Sequence, residues 1–141
     1  MKSTLTQTAK TAWEEIFRQA DEAAIHSPRV VHKMKIGQVV RQGDIYIHRI
    51  PPHHVRGHQT EVRQLVPGGS QGNRHVVDGP ARIYTDPQPL PWAPTALLGP
   101  VVVADGRITI THPKHAHVSL PRGSYQITYQ LDAYTLRRVV D

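Results

Sequence analysis

The hydrophobic pattern of the chain changes period once. From residue 3 to about 25, Leu5, Ala9, Ala12, Trp13, Ile16, Phe17, Ala20 and Ala24 recur every three to four positions, the spacing of one apolar helical stripe. Ser3 or Thr4 can cap its start, and Glu14 with Arg18 makes a favourable i,i+4 pair. Ser27-Pro28 ends it, because a residue before proline is pushed out of helical backbone. Residues 1–27 are therefore expected as one amphipathic helix. Its apolar stripe needs cover from the chain's own domain, a second copy in a homodimer, or another protein partner.

From about residue 38 the period becomes two. Asp44 to Ile50 alternates and stops at Pro51-Pro52. Glu61–Val66, Arg74–Asp78 and Arg82–Thr85 follow, separated by Pro67-Gly68-Gly69 and by Gly79-Pro80. Residues 87–100 hold five prolines around Trp92 and read as an ordered wrapping loop, since proline cannot feed a central sheet ladder. Val101–Ala104 and Arg107–Thr111 flank Asp105-Gly106, a two-residue hairpin signal. His115–Leu120 and Ser124–Leu131 flank the tight turn Pro121-Arg122-Gly123, and Tyr134–Val140 closes the series. About eight or nine short strands after one helix predict a single, mainly β domain over residues 28–141, a small antiparallel barrel or sandwich.

Composition narrows the chemistry. The 141 residues contain no cysteine, 10 histidines and 12 prolines, with 17 Lys+Arg against 11 Asp+Glu and a net charge of +6. Without thiols there is no disulfide framework, cysteine-ligated zinc, iron–sulfur cluster or cysteine nucleophile. So few carboxylates argue against an EF-hand or a carboxylate-rich two-metal site. Imidazole remains, so the cofactor to expect is one divalent transition metal (Zn, Fe, Mn or Ni). No apolar run approaches the ~18 residues of a membrane span. Lys10, Glu14, Glu15 and Arg18 interrupt any signal-like stretch, so a soluble cytoplasmic protein is expected.

Three histidine groups stand out. In Thr111-His112-Pro113-Lys114-His115-Ala116-His117, an expected strand puts His115 and His117 on one face, with His112 approaching from the corner. The competing reading is a solvated polar face. If Leu120 pairs with Ser124 across the turn, His117 falls opposite Ile127 and His115 opposite Tyr129, giving a pocket wall that includes Tyr125. In Gly68-Gly69-Ser70-Gln71-Gly72-Asn73-Arg74-His75, glycine amides can cradle an anion beside an arginine and an imidazole. A plain hairpin loop is the alternative. His53, His54 and His58 with Arg56 form a basic rim or an exposed loop.

Gly72-Asn73-Arg74-His75, His112-Pro113-Lys114-His115 and Leu120-Pro121-Arg122-Gly123-Ser124-Tyr125 resemble motifs of a small bacterial and phage family of uncharacterised β-rich proteins, over roughly residues 40–140. The H-x-H and following P-x-G turn are also similar to cupins, but the glutamate of the cupin motif is missing between Ser119 and Gln126. The resemblance implies a β-rich fold and brings no activity with it.

These readings point to a histidine site with metal ligands His75, His112, His115 and His117, and catalytic residues Arg74, His75 and His115. Gly72, Asn73, Tyr125 and Tyr129 are the expected substrate-binding residues. The expected reaction is hydrolytic or lyase-type attack on a phosphate-containing or other anionic substrate, through metal-bound water or metal-free imidazole acid–base chemistry. The rival is a non-catalytic module for nucleic acid or assembly. There Arg41, Arg49, Arg56, Arg63, Arg74 and Arg82 would form a basic stripe, and Tyr46, Tyr84 and Trp92 would stack bases.

Overall fold

The computed structural model describes residues 29–66, 74–85 and 97–130, together with Ala12. The expected helix over residues 3–25, the prolines of 87–94 and the closing strand 134–140 lie outside the described residues. Among the described residues there are ten strands: β1 (Arg29–Val30), β2 (Val39–Gln42), β3 (Ile45–Ile50), β4 (His58–Thr60), β5 (Val76–Asp78), β6 (Ala81–Thr85), β7 (Leu98–Ala104), β8 (Ile108–Thr111), β9 (Val118–Leu120) and β10 (Gly123–Tyr129). They build a six-stranded sheet in the order β2-β3-β10-β7-β6-β4 and a four-stranded sheet in the order β1-β9-β8-β5. Both sheets have edges among the described residues, so the architecture is two open sheets and not a closed barrel. Every pair is antiparallel except β1 with β9. Among the described residues no helix is long and apolar enough to cross a membrane.

Alternation explains the core. Ile45 and Ile47 of β3, Tyr125 and Ile127 of β10, Ile108 and Ile110 of β8 and Leu120 of β9 are all fully buried and belong to one apolar cluster. Because that cluster draws on both sheets, the sheets face each other across it.

The connections depart from expectation. Asp105-Gly106 is not a hairpin turn: β7 lies in the six-stranded sheet and β8 in the four-stranded one. Pro121-Arg122 likewise carries the chain from β9 to the other sheet, so the expected pairing of His115 with Tyr129 and His117 with Ile127 does not form. Ile127 pairs with Ile47, and Tyr129 with Ile45. Gly79-Pro80 makes a third crossing, and the corners stack: Asp105 N–H donates to Pro80 O at 2.8 Å. Gly79 has a φ of +115°, and a Cβ there would come within 3.2 Å of Arg107 O. The hairpin that does form joins β2 to β3, where Gln42 pairs with Ile45 across Gly43-Asp44 and Gly43 has a φ of +56°.

Two other expectations shift. Residues 61–66 form only the isolated bridge Gln64–Val76, and the paired strand is β4, just before it. Gly99 and Pro100 sit inside β7, between β10 and β6. A register irregularity between Gln126 and Thr128 tolerates the missing proline N–H, and Gln126 Nε2 donates to Gly99 O at 2.9 Å beside it.

Arg63 pins the β5–β6 crossing. Its guanidinium donates to Val77 O at 3.1 Å, to Ala81 O at 2.9 Å and to Gly79 O. Replacing it strands three carbonyls, so Arg63→Ala is expected to cost about 2–4 kcal/mol in urea denaturation. A loss under about 0.5 kcal/mol, the range of a featureless surface change, would contradict this role.

Candidate functional site: a buried histidine stack

The tip of the β2–β3 hairpin enters the protein interior with polar side chains. Gln42 and Asp44 are 3% and 2% exposed, and they meet His75 and His112, at 0% and 2%. Alternation along β2 turns Gln42 inward, and the two-residue turn brings Asp44 beside it. Gln42 Nε2 donates to Ile110 O and to Ala116 O, both at 2.9 Å. With both amide hydrogens used in this way, Gln42 Oε1 is the acceptor, and His75 Nδ1 at 2.8 Å must donate to it.

This assigns the other His75 nitrogen. Nε2 stands 2.9 Å from Asp44 Oδ1. A lone pair facing a carboxylate would repel it, so a proton lies between them. Imidazolium with carboxylate, or neutral imidazole with carboxylic acid, satisfies the contact equally. In both forms the pair is neutral overall, which suits a dry interior better than either charge alone.

His112 packs its ring on His75 with centroids 4.3 Å apart, and His115 packs on His112 at 4.5 Å. His112 Nδ1 accepts the backbone N–H groups of Lys114 at 3.0 Å and His115 at 3.2 Å, which curls residues 112–115 into a turn after β8. His115 then lies over Gly43, where a Cβ would come within 2.6 Å of its ring. Gly43 is therefore required twice, for its positive φ and for this close approach. The three rings run from the buried Asp44 pair to His115, which is half-buried. Arg41 borders the outer end, with Nε donating to Gly43 O at 2.8 Å and Nη2 to Gln130 Oε1 at 3.0 Å.

Of the residues expected at the site, His75, His112 and His115 come together. His117 is half-buried, and residues 113–117 lie outside any strand, so the alternation placing it on one face with His115 does not apply. Arg74 is exposed, next to the buried His75. Gly72 and Asn73 lie outside the described residues. Tyr125 and Tyr129 are core residues, at 0% and 7% exposure, with hydroxyls donated to Pro121 O and Leu65 O. His53 and His54 are exposed and stack on each other edge to face. His48, on β3, contacts Thr128 Oγ1 at 2.7 Å, and burial holds its pKa below the ordinary histidine value. Gln42, Gly43, Asp44 and Arg41 were not expected at the site. Their one sequence signal is a Gly-Asp dipeptide between two alternating runs.

Among the described residues no group of three or more His, Asp or Glu side chains is placed to hold a metal ion. As arranged, hydrogen bonds occupy both His75 nitrogens and His112 Nδ1.

The fold and this site define a small two-sheet β protein whose core is polar at one end. The chain belongs to a family described as a domain of unknown function (DUF8820), which matches residues 41–130. The match takes in the whole stack. No curated protein and no solved structure matches the chain.

Gln42→Leu would leave two carbonyls and the His75 Nδ1–H unpaired in the interior. The expected cost is about 3 kcal/mol, measured by urea denaturation. A cost below the ~1 kcal/mol of an average substitution would contradict the bridging role.

Proposed function

We propose that the protein is a histidine-dependent acid–base catalyst, a hydrolase or lyase for a phosphate-containing or other anionic substrate, working without a metal. The observation that carries this reading is the continuous contact of three imidazoles from Asp44 to the half-exposed His115. Buried polar groups are costly to fold, and a cluster of four at one end of a small core is hard to attribute to packing alone.

His115 is the catalytic residue, because it is the ring of the stack that is not deeply buried. It exchanges a proton with the reacting group, as a base toward water or a substrate hydroxyl and as an acid toward the leaving oxygen. His112 and His75 are positioning residues. The turn closed on His112 Nδ1 fixes the approach of His115, and Gln42 with Asp44 fixes His75. Arg41 and the exposed Arg74 supply positive charge to orient an anion. A nucleic-acid-tracking surface draws less support, since Arg56, Arg63 and Arg107 donate to backbone carbonyls.

The test is turnover of p-nitrophenyl phosphate and bis(p-nitrophenyl) phosphate by the full chain, with and without a chelator. Loss of the acid–base group in His115→Ala is expected to lower turnover about 100-fold or more while leaving the fold intact. The chelator is expected to change nothing. Wild-type turnover no higher than that of His115→Ala would overturn the reading. Activity that appears only with added Zn, Fe, Mn or Ni would replace it with the metal-dependent one.

A further inference from the structure

At the other end of the six-stranded sheet the chain builds a second concave site. The pairing Ile45–Tyr129 lies at the histidine end of β3 and β10, and Ile50–Ser124 at the opposite end. Beside the latter, a cleft of about 320 Å³ is lined by Arg49, Arg82 and Arg122, with Ser124 at its edge and Pro52 and Val103 as apolar surface. We propose that this cleft binds a small phosphomonoester, with its phosphate held by the arginines and its organic part resting on Pro52 and Val103. The proposal is independent of the acid–base reading, which concerns the far end of the sheet.

Charge and hydrogen-bond supply both favour an anion. Among the described residues, three guanidiniums and one carboxylate, Asp105, line the cleft, a net of two positive charges. Asp105 is already taken by Arg82, through contacts of 3.0 and 3.2 Å, which holds Arg82 in place. Arg49 is fixed on its other side. Nη1 donates to Arg122 O at 3.2 Å, and the guanidinium lies over the Tyr125 ring at 5.6 Å. Its Nε–H is buried and has no hydrogen-bond partner among the described residues. Gly123 makes room for that guanidinium, because a Cβ at this position would overlap it. A planar cation with a donor to spare, a second one locked by its carboxylate and a third exposed at the rim suit the three oxygens of a phosphate.

The concave shape selects against a polyanion backbone. Tracking a strand needs arginines spread along a surface, and Arg41, Arg63 and Arg107 are tied to carbonyls. The apolar surface favours an ester over inorganic phosphate.

The experiment titrates the full chain with inorganic phosphate and with phenyl phosphate at low ionic strength, by calorimetry and by backbone amide shifts. Saturable binding is expected, with shifts at Ala104, Gly123 and Ser124 that Arg122→Ala weakens and His115→Ala leaves in place; shifts at Gly43 or His115 report the histidine site separately. Phenyl phosphate is expected to bind a few-fold tighter than phosphate, in line with burial of its ring. Arg122→Ala removes an exposed side chain and is expected to weaken binding about 5- to 10-fold with an unchanged Tm. Arg49→Lys keeps the charge, loses the Nε–H and is expected to weaken binding similarly. No saturation by ~10 mM ligand, or an Arg122→Ala affinity equal to wild type, would overturn the site. Equal affinity for the two ligands would overturn the ester preference. A mixed oligonucleotide that binds tighter than phenyl phosphate, and is not displaced by it, would assign the cleft to nucleic acid instead.

Discussion

One side-chain amide ties the polar end of this protein together. Gln42 projects from the six-stranded sheet, donates to the end of β8 in the four-stranded sheet and to the loop after His115, and accepts from His75 just ahead of β5. β5 and β8 pair with each other but share no ladder with β2, so no strand pairing fixes β2 against them. The amide does so because all three of its partners require opposite ends of one group. It also sets the proton on His75, and the Asp44 contact and the ring stack follow from that orientation. Apolar residues of similar volume would pack there at less desolvation cost, so the arrangement is best understood through what it holds in place.

The arginines show how composition becomes local structure. A net charge of +6 suggests an extended anionic partner, yet much of the guanidinium complement serves the fold. Arg63 closes the β5–β6 crossing, Arg107 reaches Val31 O and Ser119 Oγ, and Arg41 braces the hairpin tip. Five donors in a rigid fork suit carbonyls that a corner leaves unpaired. Among the described residues, Arg49, Arg82 and Arg122 meet in one cleft.

Much of the strand content was legible from alternation, because burial on one face enforces period two; β3, β6, β8 and β10 fall close to where their patterns place them. Sheet membership was not. Asp105-Gly106 permits a tight reversal, but a dipeptide cannot encode whether Ile108 pairs back on β7 or with Leu120 of β9, and the second occurs. The same ambiguity displaced the expected Tyr125 and Tyr129 wall into the core. Pro100 within β7 depended on an irregularity in the neighbouring strand, which no local rule predicts. His75, His112 and His115 could be picked out as the histidines of interest. Their mutual stacking and their partners Gln42 and Asp44 could not, because those partners carry no distinguishing pattern and arrive from a hairpin over 30 residues upstream of His75.

The most direct test of this account is the proton count on His75, read from the side-chain nitrogen resonances of ¹⁵N-labelled protein at neutral pH. With Gln42 Oε1 as acceptor, Nδ1 is protonated, and the proton shared with Asp44 gives Nε2 at least partial N–H character. Conversion of Gln42 to Leu is expected to disturb both signals. A His75 with an unprotonated Nδ1 in the wild-type protein would contradict the Gln42 bridge and the stack built on it.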